Sequence, residues 1–122
     1  MADRGVHVAI KRAYEAPAPN EGTRVLVDRL WPRGLSRERA RVDLWLKDVA
    51  PSTQLRKWYG HSPERFAEFA TRYREELSTG PAFSALVDLR STARRADVVL
   101  VTATRDLPHS AAFVLRDVLA GR

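Results

Sequence analysis

Asp97-Val98-Val99-Leu100-Val101-Thr102 is the stretch that decides the fold. Four consecutive apolar residues, three of them β-branched, stand between polar neighbours. The run is too short for a helix and shows no in–out alternation, so it predicts a strand buried on both faces, at the centre of a sheet. Such a strand needs a layer of structure above it and another below. Its flanks supply helices. Upstream, a helix over about residues 82–95 is expected to bury Phe83, Leu86 and Leu89, with Arg94 and Arg95 at its negative end. Downstream, Pro108 and Ser110 open a last helix whose stripe is Ala111, Val114, Leu115, Val118 and Leu119.

Further out the same alternation continues. Ser62-Pro63-Glu64 reads as a cap, a proline in the first turn and an acid at the positive end. The helix that follows carries Phe66, Phe69, Tyr73 and Leu77 on one stripe and a Glu68–Arg72 pair outside, and Gly80-Pro81 stops it. Ser52 caps a short helix through Trp58. Val42, Leu44 and Leu46 alternate with polar neighbours, which favours a third strand over a competing helix through 36–48; Ser36 caps a short helix over 37–41. Arg24-Val-Leu-Val-Asp28 is a second strand, and Val6, Val8 and Ile10 mark the first. Pro17, Pro19 and Gly22 exclude a regular element between them. Strands alternating with helices predict one α/β domain over residues 1–122: a three-layer sandwich with a small, mostly parallel sheet and helices on both faces.

Composition sets limits. At 122 residues, 44% apolar and 30% charged, the chain is ordinary globular material for one core. It has no cysteine, which removes disulfides, thiolate metal sites and a thiol nucleophile, and suits a reducing compartment. The longest apolar run cannot cross a bilayer and Met1–Gly5 is not a signal segment, so no membrane partner and a cytoplasmic location are expected. The charge of +6 is spread along the chain. Lys11, Lys47 and Lys57 are the only lysines; the other basic residues are arginines, a skew that fits either genome composition or a need for bidentate anion recognition. Nucleic acid is permitted by this charge, not implied.

In open parallel sheets ligands bind beyond the carboxyl ends of the strands. Two exits carry dense polar groups: Asp28, Arg29, Trp31 and Arg33 after the second strand, and Thr102, Thr104, Arg105, Asp106, His109 and Ser110 after the last. Neighbouring parallel strands would bring both sets to one rim. Ser110 opens a helix whose free amides favour an anion, Arg105 adds charge, and His109 adds an imidazole, the side chain suited to proton transfer. Each residue also has a structural reading: Asp28 as an ion-pair partner of Arg29 or Arg105, Asp106 as a turn residue, Ser110 as a plain cap, His61 as a staple, and Trp31, Trp45 and Trp58 as anchors rather than stacking surfaces. A metal at His109, Asp106 and Asp28 is conceivable, but nothing selects it. Phosphate-loop, dinucleotide, nucleophile-elbow and kinase patterns are absent.

The segments VLVDRLWPRGLS (25–36), DLWLKDVAPST (43–53) and LRKWYGH (55–61), with Arg105-Asp106 before His109, resemble the YeaO-like family of bacterial domains of unknown function. The resemblance runs from Lys11-Arg12 to the last helix. It implies a small cytoplasmic α/β domain with Rossmann-like layering and no established activity; some relatives are associated with transcription-regulator domains. Members of that family usually carry an Asn-His pair where this chain has Ser110 and Ala111, and a cysteine-bearing branch places its thiols near Thr102 and Ser110. Thiol chemistry cannot carry over to this chain, and an acid–base step that needs the missing histidine is either lacking here or relies on His109 alone.

Three functions follow as expectations. The first is a domain binding a phosphorylated or other anionic small molecule, with hydrolase- or transferase-like chemistry open to it: Arg29, Arg33 and Arg105 hold the anion beside Trp31 and Ser110, and His109 acts as acid or base oriented by Asp106 or Asp28. The second is a nucleic-acid-binding or regulatory module stacking bases on its tryptophans. The third is a protein-interaction domain without chemistry. The sequence fixes neither cofactor nor oligomeric state.

Overall fold

The structure, a computed structural model, describes residues 7–122. Four strands form one sheet, β1 (Val8–Arg12), β2 (Thr23–Leu26), β3 (Leu44–Trp45) and β4 (Val98–Thr102), in the order β1-β4-β2-β3 and all parallel. The apolar run that opened the reading is therefore flanked by strands on both sides, and every residue of β4 is buried. The part of the first-strand reading that falls on Val6 lies outside the described residues.

Five helices complete the chain: α1 (Arg37–Ala40), α2 (Thr53–Tyr59), α3 (Phe66–Glu76), α4 (Gly80–Arg95) and α5 (Ala111–Leu119). The two faces of the sheet are covered unequally. Val25, Val27, Val98 and Leu100 pack under α2 to α5, against Tyr59, Phe69, Tyr73, Leu86, Leu89 and Leu115. Leu26, Val99 and Val101 point the other way, under the single turn of α1, the exit loop after β2 and the indoles of Trp31 and Trp45. The period-two pleat separates these sets residue by residue.

Crossovers respect handedness. The β1–β2 and β2–β3 links run over the thin face, where Ala13, Leu35 and Ala40 are buried. The long β3–β4 link, with α2, α3 and α4, returns over the other face. Two moves one way on one face and one move back on the opposite face share a single hand, as parallel crossovers must.

Most element boundaries follow local chemistry. Ser36, Ser52 and Ser110 cap α1, α2 and α5, each side-chain oxygen accepting the amide three residues on. The 42–46 segment is a strand, held by the Asp43 amide on the Arg24 carbonyl and the Leu46 amide on the Leu26 carbonyl, although its ladder is only two residues long. Three expectations are corrected. Ser62 makes no side-chain cap: a 3-10 turn over Pro63–Arg65 leads into α3 instead. Pro108 sits in another 3-10 turn, Leu107–His109, so the last helix starts only after Ser110. Phe83 is 44% exposed, because α4 buries Ala85, Leu86, Leu89 and Ala93 and turns Phe83 and Val87 outward together.

Arg24 is a buried staple on the thin face. Its guanidinium donates to the carbonyls of Ala13, Glu15 and Ala40 and pairs with Glu21, which also binds Lys11. Burial acts to raise the Glu21 carboxyl, but the bonds from Lys11 and Arg24 outweigh it and hold the group at about 2. The 13–22 connection, irregular by its prolines and Gly22, is fastened through this cluster, by the Ala13 amide on the Thr102 carbonyl and by the Tyr14 hydroxyl on the Arg33 carbonyl.

Candidate functional site

β4 leads to α5 on the thick face, whereas its neighbour β2 leads into a loop and α1 on the thin face. Departures in opposite directions from adjacent parallel strands open a crevice at their carboxyl ends, the place where open α/β sheets bind ligands. A cavity of about 410 Å3 lies there, lined from both exits by Asp28 to Arg33 and by Thr102, Ala103 and Thr104. Arg56 and Tyr59 of α2, His61, Phe69 of α3, and His109 and Ser110 complete it.

Asp28 joins the two exits. One carboxylate oxygen accepts the Thr102 hydroxyl at 2.6 Å and the other accepts the Ala103 amide at 2.7 Å, while its own carbonyl accepts the Trp45 indole N–H at 2.8 Å. Burial pushes its carboxyl above the ordinary carboxylate value, against the opposing pull of those two donors and of the Arg56 charge. Asp28 thus bonds neither Arg29 nor Arg105, and it does not orient His109. That task falls to Asp106, whose Oδ2 lies 2.8 Å from His109 Nδ1. Tyr59 fixes the same segment by donating to the His109 carbonyl at 2.6 Å; burial, then the charges of Asp106 and Glu64, push its phenol up.

The arginines behave differently from one another. Arg29 reaches the Ala50 and Pro51 carbonyls through one terminal nitrogen, and its buried Nε has no partner. Arg33 and Arg56 are exposed at the cleft, and their guanidinium groups make no hydrogen bond to any described residue. Arg105 is exposed and does not line the cavity, nor does Asp106. Of the residues singled out from sequence, the structure therefore gathers Asp28, Arg29, Trp31, Arg33, His109 and Ser110 at one crevice, holds Asp106 behind His109, and leaves Arg105 outside. Arg56 is the residue missed. Its position one turn into a capped helix gave no hint that α2 packs beside the β2 exit. His61, read as a staple, sits with φ +56° after Gly60 and lines the rim.

Two of the cleft hydroxyls are committed, while that of Thr104 makes no hydrogen bond to any described residue. Thr102 Oγ1 donates to Asp28 and accepts the Thr104 amide; Ser110 Oγ donates to the Leu107 carbonyl and accepts the Phe113 amide. Ser110 is a cap, and the first amides of α5 behind it lack intrahelical acceptors. Among the described residues no group of three His, Asp or Glu side chains could hold a metal ion, and the His109–Asp106–Asp28 set fails because both Asp28 oxygens face donors. The tryptophans are anchors. Trp31 donates to the Leu35 carbonyl, stands edge-on to Trp45 and has Arg37 4.5 Å above it; Lys47 covers Trp45, and Arg65 and Arg72 flank Trp58. Among the described residues no helix is long and apolar enough to cross a membrane.

Comparison with known proteins gives the chain a family. A family model described as "Inactive DUF488-N3 subclade" matches residues 7–122. Uncharacterized protein Rv3073c of Mycobacterium tuberculosis is 50% identical over 119 residues, covering 98% of each chain. Uncharacterized protein YeaO of Escherichia coli is 32% identical over 112 residues, covering 92% of this chain and 96% of its own. No solved structure matches. The chain belongs to the YeaO-like DUF488 family, within the subclade that its matching description calls inactive.

Proposed function

We propose that this domain binds a small anionic ligand, of the phosphorylated or carboxylated class, in the crevice between the β2 and β4 exits, and that it holds rather than converts it. One observation carries the reading. Arg29, Arg33 and Arg56 line a cleft whose single carboxylate, Asp28, already has both oxygens engaged. The local balance is cationic, the Arg33 and Arg56 guanidinium groups make no hydrogen bond among the described residues, and a planar fork suits oxyanions. The start of α5 adds amides and a favourable dipole end.

Turnover is less well supported. The chain has no cysteine, the Thr102 and Ser110 hydroxyls are spent on Asp28 and on capping, and the Thr104 hydroxyl that also lines the cleft has no hydrogen bond to a base among the described residues, so no activated nucleophile supports turnover. The His109–Asp106 pair has the geometry of an oriented acid or base. It offers water activation as the remaining chemistry. The description of the matching subclade as inactive favours binding alone.

The test is thermal melting with inorganic phosphate, pyrophosphate and citrate. At least one should raise Tm in the parent, and Arg33→Ala with Arg56→Ala should abolish that rise while leaving the melting point without anion unchanged. An anion response undiminished in the double variant refutes the site. Release of nitrophenol from an aryl phosphate that disappears in His109→Ala would replace the holding role with a hydrolytic one.

A further inference from the structure

We infer that the cleft takes an organic anion with an apolar body, its charged group at the arginine rim and its body against the inner wall; this rests on the anion reading above. Size is the first reason. A cavity of about 410 Å3 is in the range that encloses organic ligands, and a bare oxyanion would leave most of it to water. Polarity is the second. Of the arginines at the cleft, Arg33 and Arg56 are exposed and Arg29 is half-buried, whereas the lining residues Val27, Tyr59 and Phe69 are at most 4% exposed. Charge at the mouth and apolar surface within match a molecule divided in the same way.

The third reason is shape. The two walls come from opposite layers: the β2 exit loop from the thin face, and α2 with α3 from the thick one. Tyr59 and Phe69, stacked on each other with centroids 4.2 Å apart and planes 16° from parallel, line one side. Trp31 and Pro32 line the other. Leu30 stands on the same loop, 64% exposed, the most exposed large apolar side chain described, and it too lines the cavity. A leucine placed so, at the edge of an apolar slot, gains contact when a ligand with an apolar body enters.

Calorimetric titration of the full chain separates the two levels of the argument. The probes are inorganic phosphate, phenylphosphonate and benzyl alcohol. Phenylphosphonate should bind roughly ten-fold tighter than phosphate or better, with the negative heat-capacity change of apolar burial. Leu30→Ala should lower the ratio of the two affinities several-fold, and Arg33→Ala should weaken both anions alike. Equal affinities for phosphate and phenylphosphonate, both weakened by Arg33→Ala, would overturn the apolar body and leave the anion site standing. A ratio unchanged in Leu30→Ala would equally overturn the placement of the body against this wall. Benzyl alcohol binding as tightly as phenylphosphonate, or no binding of either anion, would remove the anion site and this inference with it.

Discussion

Replacing Asp28 by alanine should cost about 3 kcal/mol of stability and disable the cleft. The carboxylate receives two hydrogen bonds from the β4 exit, the Thr102 hydroxyl at 2.6 Å and the Ala103 amide at 2.7 Å. Truncation leaves both donors without it, and each orphaned buried donor costs about 1–3 kcal/mol. The lower half of that range applies, because removing a buried carboxyl that is already held above its ordinary value also relieves desolvation. For a chain of 122 residues, unfolding entropy near the midpoint makes 1 kcal/mol worth about 4 °C, so Tm should fall by about 12 °C. Asparagine is the informative control. Its amide oxygen can still accept the Ala103 N–H while its nitrogen turns to Thr102 Oγ1, so the loss should be nearer 1 kcal/mol, or about 4 °C. Phosphate-induced stabilisation should shrink in the alanine variant even where the fold survives, because the two exits are no longer tied. An alanine variant melting with the parent, or an asparagine variant melting below alanine, would refute Asp28 as the tie between β2 and β4.

Acid should act on this protein through two carboxyls of opposite sense. Glu21, held at about 2 against an ordinary 4.5, contributes stability that is complete above pH 4.5 and is lost as pH falls towards 2. Allowing for solvent screening of the pair, Glu21→Gln should cost about 1–2 kcal/mol at neutral pH, with the gap to the parent closing below pH 3 in denaturant titrations. Asp28 has the reverse sign: its raised carboxyl favours folding fully below pH 3.8, and that contribution declines as pH rises through the raised value, so the Asp28→Asn variant should show a flatter profile in that window. Gly22→Ala should destabilise by about 3 kcal/mol or more, since the added Cβ would meet the Asp97 carbonyl oxygen at 2.4 Å with φ at +105°; Gly34→Ala, at φ +75° in open space, should cost about 1 kcal/mol. Equal melting points for the two glycine variants would show that the close approach at Gly22 is relieved by backbone movement.

What was legible in the sequence is what short-range chemistry decides. The β4 run, the α3 stripe of Phe66, Phe69 and Tyr73, and the serine caps at 36, 52 and 110 each need only neighbours a few residues away, and all are present. The rim could be foreseen because parallel neighbours bring their carboxyl ends together whatever lies between. The pairing within it could not. Asp28 meets Thr102 across 74 positions and Tyr59 meets the His109 backbone across 50, distances over which side-chain choice depends on how α2 and α3 settle on the sheet. Arg56 belongs to the cleft for the same reason, and Arg105 falls outside because the 3-10 turn at Leu107–His109 gives it no place on the cavity wall. Phe83 misled the apolar pattern, since a helix that packs through Ala85, Leu86, Leu89 and Ala93 brings Ala82, not Phe83, against the core in its first turn.

The arginine skew, which fits either genome composition or bidentate anion recognition, resolves into separate duties. Arg24 staples the 13–22 connection from inside, Arg29 holds the Ala50–Pro51 turn, and Arg37, Arg65 and Arg72 lie over indole rings. Arg72 also pairs with Glu68 and Arg74 donates to the terminal carbonyl. These are structural contacts, scattered over both faces, and they occupy the tryptophan surfaces on which bases would stack. A polynucleotide needs a continuous track of free cations, which shows as a steep salt dependence. Arg33 and Arg56, whose guanidinium groups at the cleft make no hydrogen bond among the described residues, suit one or two oxyanion groups instead. The net charge of +6 therefore argues for little by itself, and the placement of two arginines beside an enclosed apolar wall argues for a small ligand. Weak phosphate binding that falls only gently between low and physiological salt would fit that count, whereas a slope demanding many contacts would return the polyanion to consideration.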